Sequence, residues 1–238
     1  MENSDQRYER GDESMSKIVL HSVNKVYNPG QPNEFFALKE IDLTIEEAQT
    51  VILKGVSGSG KSTLLSLLGA LSKPSSGEIT VNGQNIAKLP DIMASNFRHQ
   101  SVGFIFQSFQ LLEGLSVYHN VLAPLSLLKL SREEIRQKID RALEIANIAH
   151  KKEQKVSSLS GGERQRCAIA RALVMEPEII LADEPTANLD KANSLLFIEI
   201  LRTFKALKKT VIIATHDVIF DDVACVDRTF HLKEGTIV

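Results

Sequence analysis

The stretch GVSGSGKST, from Gly55 to Thr63, spaces Gly55, Gly60, Lys61 and Ser62 as G-x-x-x-x-G-K-[ST]. That pattern suits phosphate. Glycines let successive backbone N–H groups turn inward around phosphate oxygens. An apolar run, TVILKG, precedes the loop and a helical run, STLLSLLGAL, follows it. The N-terminus of that helix adds positive potential at the same point. Lys61 offers a point charge to β- and γ-phosphates, and the Ser62 hydroxyl offers an oxygen to Mg²⁺. The candidate ATP-binding residues are therefore Gly55, Val56, Ser57, Gly58, Ser59, Gly60, Lys61, Ser62 and Thr63. The plainer alternative is a glycine-rich turn with a chance Lys-Ser after it. With glycine near 7% of residues, such a match arises by accident on the order of 1% of the time. The strand-before, helix-after context lowers that further.

A second chemical pair sits in EIILADEPT, where Asp183 and Glu184 end an apolar run. Strand ends of this kind face the ligand crevice of a parallel α/β sheet. Asp183 suits a Mg²⁺ contact, direct or through water. Glu184 is placed to orient and deprotonate an attacking water. Exposed acids at strand ends are common, and it is the lysine loop that makes this pair informative. A third stretch, LSGGERQR followed by CAIARAL, puts Ser160, Gly161 and Gly162 before an apparent helix. It resembles another phosphate cradle, although Lys61 and Ser160 lie 99 residues apart. A lone Ser-Gly-Gly is usually a flexible loop.

These residues need a frame. The runs at 50–55, 101–107, 178–184 and 210–217 are apolar on both faces, as strands covered by helices are. Helical spacing appears in SREEIRQKIDRALEIANI, where Ser131 and Glu134 form a capping box, and in NSLLFIEILRTFKAL. EITVNGQNI reads as a hairpin turning at Asn82-Gly83, and FHLKEGTIV as one turning near Gly235. The expectation is an α/β protein with a parallel-sheet core, peripheral antiparallel strands, and an inserted helical segment over about 108–165. A single domain over 17–238 follows, preceded by a disordered tail over 1–16 in which Met15 is a second candidate start.

Composition limits the classes. The 238 residues carry 28 Lys+Arg against 30 Asp+Glu, too balanced for a chain built to coat nucleic acid. Two cysteines, Cys167 and Cys225, form no Cys-x-x-Cys pair and suit a reducing compartment. No apolar run is long enough to span a bilayer, and MENSDQRYERGDES is too charged for a secretory signal.

LSGGERQR, followed by LADEPTANLD and then ATHD, resembles the ATP-binding subunits of ABC transporters from about residue 18 to 238. The resemblance implies the P-loop NTPase fold of ABC ATPases, with a peripheral antiparallel β-subdomain and an inserted helical subdomain. It identifies Leu159 to Glu163 as the signature motif, so that Ser160, Gly161, Gly162 and Glu163 bind ATP. Gln107 becomes the Q-loop glutamine that reaches Mg²⁺ and links to the membrane subunit. Tyr27 becomes the aromatic that stacks on adenine, Asn188 to Asp190 the D-loop, and His216 the switch histidine at the γ-phosphate. Read alone, these are a polar strand end, a core aromatic and a histidine after a buried strand.

The family also explains the two cradles. Two copies pack head to tail, and each ATP lies between the lysine loop of one and the signature of the other. A separate integral membrane permease is implied, with this subunit peripheral on the cytoplasmic face of the inner membrane. The leucine-rich stretch SFQLLEGLSVYHNVLAPL is the expected contact region, with plain core packing as the alternative for about half of it. GFIFQSFQLL, NVLAPL and ADEPTANLD resemble the lipoprotein-release and macrolide-export branch, whose permease has a large extracytoplasmic domain; the cell-division ATPase is closely similar. Lys54, Ala48-Gln49 and Glu163 depart from the usual pattern. A chromosome-maintenance ATPase would need a long coiled coil between the two cradles, and no sustained heptads occur there. A translation-type factor would carry two cassettes, and a small-molecule kinase has no use for the signature.

Overall fold

The computed structural model describes residues 18–238, so the sequence expectations for the tail lie outside the described residues. The core is a six-stranded sheet in the order β10-β9-β3-β8-β7-β6. Its central members are β3 (Thr50–Lys54), β6 (Val102–Ile105), β7 (Ile179–Asp183) and β8 (Thr210–Thr215). They run parallel to one another and to β9 (Arg228–Lys233), with β10 (Thr236–Ile237) antiparallel at the edge.

Period-two alternation explains why these strands are apolar throughout. Ile52, Ile180, Ala182, Val211 and Ile213 point into one cluster, shared with Phe197, Leu201 and Phe204 of α6 (Lys191–Ala206). Val51, Leu53, Ile179, Leu181, Ile212 and Ala214 point into the opposite cluster. There they meet Leu64, Leu65, Leu67 and Leu68 of α1 (Lys61–Leu68). Both faces of the sheet are thus dry, and the strand ends are the places left for polar chemistry.

A second sheet, β2-β1-β4-β5, is antiparallel. It comprises β1 (Ile18–Tyr27), β2 (Phe35–Ile45), β4 (Ser76–Val81) and β5 (Gln84–Asn85). The expected turns appear as Asn82 and Gly83 between β4 and β5, and as Glu234 and Gly235 between β9 and β10, all four with positive φ. The β1–β2 pairing was not foreseen. The pairing breaks register between Leu20 and Val23 and again around Lys25, and Ser22 takes φ 45°. Bulges of this kind destroy the alternation that marks a strand in sequence.

The expected strand over 101–107 is shorter, because Ser101 closes α2 (Asp91–Ser101). That helix had no sequence signal strong enough to read, since it buries only Ala94 and Phe97. The chain then forms α3 (Val117–Leu122), α4 (Arg132–Ile145) and α5 (Gly161–Leu173). Ser131 and Glu134 cap α4 reciprocally, as expected, and the helix stops before Asn147, which turns left-handed at φ 52°. Of the leucine-rich stretch, Val117, Val121 and Leu125 are fully buried, whereas Leu112 and Leu115 are exposed; just beyond it, Leu127 and Leu128 are exposed too.

Leu181→Ala, between α1 and the sheet, should lower the unfolding free energy by about 2–5 kcal/mol. Leu127→Ala, at an 83% exposed position, should change it by less than about 0.5 kcal/mol. Chemical denaturation of the two variants checks this pair.

Candidate functional site

The loop between β3 and α1 is held by its own lysine. Lys61 is 6% exposed, and its ammonium donates to the carbonyls of Gly55 at 2.7 Å and Val56 at 3.2 Å. These bonds curl the loop and leave Ser57 and Gly58 exposed on its outer face. Gly60 must be glycine: φ is 107°, and a Cβ there would lie 2.6 Å from the Ala37 carbonyl oxygen. The helix therefore starts at Lys61 with its first N–H groups facing the loop interior.

The carboxylates arrive from β7, one strand beyond β8. Lys54 of β3 lies opposite Thr215 of β8, and Asp183 of β7 lies opposite Ala214. The ends of three strands thus meet at one edge. Ser62 Oγ donates to Asp183 Oδ1 at 3.0 Å. Burial pushes the Asp183 carboxyl above its ordinary range, against the pull of the Ser62 bond, and the neighbouring Glu184 charge pushes it further. Such a carboxylate gains from a nearby cation. The oxygens of Ser62, Asp183 and Gln107 are hard donors of the kind Mg²⁺ takes, so the residues present fit that ion.

Glu184 is placed by bonds on both sides. Its Oε1 lies 3.5 Å from the Lys61 ammonium and 2.9 Å from His216 Nδ1, and its Oε2 accepts from Thr215 Oγ1 at 3.1 Å. Its backbone sits at φ 44°, a left-handed conformation that a glutamate adopts only when its surroundings insist. The Glu184 N–H donates to the Ala214 carbonyl at 2.8 Å and supplies that insistence. The side chain is largely buried, yet it opens on a cavity of about 280 Å³. Lys61, Ser62, Thr63, Gln107, Glu184 and His216 line it together with Ser57, Gly58 and Gly60.

The second cradle has a different build. Ser160 is the N-cap of α5, its Oγ accepting from the Glu163 N–H while Glu163 Oε2 accepts from the Ser160 N–H at 2.8 Å. Lys151 lies 3.1 Å from the same carboxylate. The Ser160 N–H bond, foremost, holds Glu163 below the usual carboxylate range. Gly162 is packed so closely that a Cβ would fall 2.0 Å from Asn193 Oδ1. Asn193 in turn accepts from Arg166 and donates to Asp190, the N-cap of α6. Ser160 and Gly161 remain exposed.

Of the residues singled out in sequence, Ser57, Gly58, Gly60, Lys61, Ser62, Thr63, Gln107, Glu184 and His216 share one cavity, and Asp183 joins them through Ser62. Ser160, Gly161, Gly162 and Glu163 do not line it, and neither does Tyr27. Tyr27 lies directly across the β1–β2 pair from Phe35, which does. Phe35 and Ala37 were missed because their placement follows from the bulged register. Thr215 was missed too; it precedes His216 in ATHD and is a buried hydroxyl at a strand end, which is a readable signal.

Residues 38–187 match the family model described as ABC transporter. The chain is 41% identical over 201 residues to the lipoprotein-releasing system ATP-binding protein LolD of Pseudoalteromonas translucida, covering 84% of this chain and 86% of that one. It is 37% identical over 221 residues to the macrolide export ATP-binding/permease protein MacB of Chlorobaculum tepidum, covering 93% of this chain but 33% of that longer protein. Among solved structures, the ATP-binding cassette MJ0796, a post-hydrolysis dimer bound to ADP and Pi, superposes with a TM-score of 0.84 at 36% identity. That match covers 92% of this chain and 96% of the other. With sequence, fold and site in agreement over nearly its whole described length, the chain belongs to the ABC transporter family, as an ATP-binding cassette that hydrolyses ATP.

Proposed function

We propose that this chain powers a separate membrane permease by closing, as a head-to-tail pair, on two molecules of ATP and parting after hydrolysis. The observation that carries this reading is the split of the phosphate-directed residues. The lysine loop, Glu184 and His216 share a cavity, while Ser160 and Gly161 lie exposed outside it at the start of α5. A second copy supplies what the cavity lacks. The dimeric state of MJ0796 with ADP and Pi supports that arrangement.

In this reading the N–H groups of Gly55 to Thr63 hold the phosphates, and the Lys61 ammonium exchanges its bonds to Gly55 and Val56 for β- and γ-phosphate oxygens. Ser62, Gln107 and Asp183 would hold Mg²⁺, which when bound would neutralise charge on those oxygens. Glu184 accepts the proton of a water that attacks the γ-phosphorus as the bond to the bridging oxygen breaks. His216, bonded to Glu184, fixes that carboxylate and faces the γ-phosphate. Tyr27 stacks on adenine. The signature residues Ser160, Gly161, Gly162 and Glu163 of the other copy close over the γ-phosphate, so that loss of phosphate loosens the pair. Residues 17–238 form one ATPase domain, with a helical part over about 108–165.

The permease is of the lipoprotein-release or macrolide-export kind, with an extracytoplasmic domain. The names of the LolD and MacB relatives support the kind of permease, the extracytoplasmic domain being what the family resemblance implies. So does MacB's architecture, in which an equivalent segment makes up about a third of an ATP-binding/permease protein. No helix among the described residues is long and apolar enough to cross a membrane. In this reading the permease docks on the exposed leucines Leu112, Leu115, Leu127 and Leu128 and holds the chain peripherally at the cytoplasmic face.

Glu184→Gln should bind ATP, hydrolyse it about 10²–10⁴-fold more slowly, and elute as a dimer in ATP on gel filtration; a monomer under those conditions refutes the sandwich. Ser160→Arg should leave nucleotide binding to the monomer intact and reduce turnover by at least about 10²-fold, read by equilibrium binding beside an ATPase assay. Asp183→Asn should raise the melting temperature of the metal-free protein at neutral pH, because the raised wild-type carboxyl opposes folding once ionised. The gain should vanish towards about pH 3, where the wild-type group is protonated as well, while Mg²⁺-dependent turnover is lost.

A further inference from the structure

Arg171 stands eleven residues beyond Ser160 on α5, about 16 Å along the helix from the signature. It is half-buried, and no carboxylate pairs with it among the described residues. Its guanidinium instead donates to two consecutive carbonyls, that of Phe109 at 2.7 Å and that of Gln110. Burial draws its pKa down from the ordinary value. A desolvated cation spent entirely on backbone oxygens is an expensive structural choice, and the loop it holds explains it.

That loop follows Gln107. Phe109 and Gln110 both take left-handed backbone, at φ 60° and 52°, a costly state for successive residues with side chains. The turn is tight: the Gln110 N–H reaches the Ser108 carbonyl at 2.6 Å and the Phe109 N–H the Phe106 carbonyl at 3.0 Å. On its other side, Asn188 Nδ2 donates to the Gln107 carbonyl at 3.1 Å. A cavity of about 300 Å³ opens beside Phe106, Gln110 and Arg171, so packing is incomplete on that side of the loop. Hydrogen bonds from α5 and from the segment before α6 hold it there.

We propose that Arg171 is a positioning residue for ATP hydrolysis: by clamping the carbonyls of Phe109 and Gln110 it sets where Gln107 enters the nucleotide cavity and ties that setting to the orientation of α5. One helix thereby carries the signature at its first turn and the anchor of the Gln107 loop in its last, so a tilt of α5 moves both. The proposal rests on the reading of Gln107 as a ligand to nucleotide-bound Mg²⁺.

The test uses the full chain with Arg171→Met, which keeps an extended side chain without donors, and Arg171→Lys, which keeps one charged donor group. Hydrogen exchange of amides 106–112 should quicken at least tenfold in Arg171→Met, with the amides of α5 unchanged. In the same variant kcat should fall about tenfold at an ATP KM within twofold of wild type. Arg171→Lys should recover part of both losses, and adding Gln107→Ala to Arg171→Met should reduce kcat no further than Gln107→Ala alone. Unchanged exchange at 106–112, or fully additive losses in the double variant, would overturn the clamp. If Arg171→Met does not fold, exchange in Arg171→Lys decides, a wild-type profile overturning the proposal and an intermediate one supporting it. A Gln107→Ala chain with wild-type turnover would instead overturn the role of Gln107, and the exchange measurement alone would then judge the clamp.

Discussion

A buried ammonium needs oxygen around it, and Lys61 obtains that oxygen from the loop it belongs to. Two carbonyls of the loop and one carboxylate from a strand two places away surround a side chain that water hardly reaches. Removing any of the three would leave a charge in a low-dielectric setting, so the loop cannot open without a substitute. A triphosphate is such a substitute, richer in oxygen and in negative charge. The unusual backbone nearby follows from this constraint. Gly60 takes φ 107° so that the helix can begin at Lys61, and Glu184 takes φ 44° so that its carboxylate can reach the ammonium from the end of β7. Strain at those two residues is local, and the dry core beneath them holds it.

The same sheet edge explains why Asp183 and Glu184, adjacent in sequence, have different settings. Asp183 is the last residue of β7 and continues its alternation, which turns it towards α1 and the Ser62 hydroxyl. Glu184 is past the strand, and its left-handed turn swings it towards β8, where Thr215 and His216 wait. One residue of spacing and one backbone reversal separate a metal-directed carboxylate from a water-directed one.

Much of this was legible before any coordinates. The lysine loop, the acid pair and the four apolar strands declare themselves because a parallel sheet buried on both faces has no polar residues to blur the pattern. The capping box at Ser131 was equally plain, since its spacing is a local hydrogen-bond geometry, whereas the one at Ser160 was read only as a phosphate cradle. What stayed hidden depends on contacts between distant segments. The bulges of β1 set Tyr27 against Phe35 and put Phe35 on the cavity, and no short window of sequence contains that register. The helix α2 buries two side chains only, too few to impose a period. Arg171 looks like one more basic residue in ERQRCAIARAL until the loop it holds, sixty residues earlier, is folded against it.

Two departures from the family pattern acquire physical reasons. Lys54 stands where an apolar residue is usual, at the last position of β3, and its ammonium pairs with Asp221 in the segment that follows His216. The pair fastens the strand that launches the phosphate loop to the stretch carrying the histidine, so an aliphatic side chain there would leave Asp221 without that partner. Glu163 replaces the more usual glutamine, and it is held ionised by the Ser160 N–H and by Lys151. A negative charge at the first turn of α5 favours the helix dipole, but it also opposes an approaching phosphate. Here the opposition is blunted, because one oxygen of Glu163 is committed to the Ser160 N–H and the other to Lys151. The exposed donors of Gly161 and the helix start are then left to meet the anion, and the cap that stabilises α5 becomes compatible with the cradle it forms.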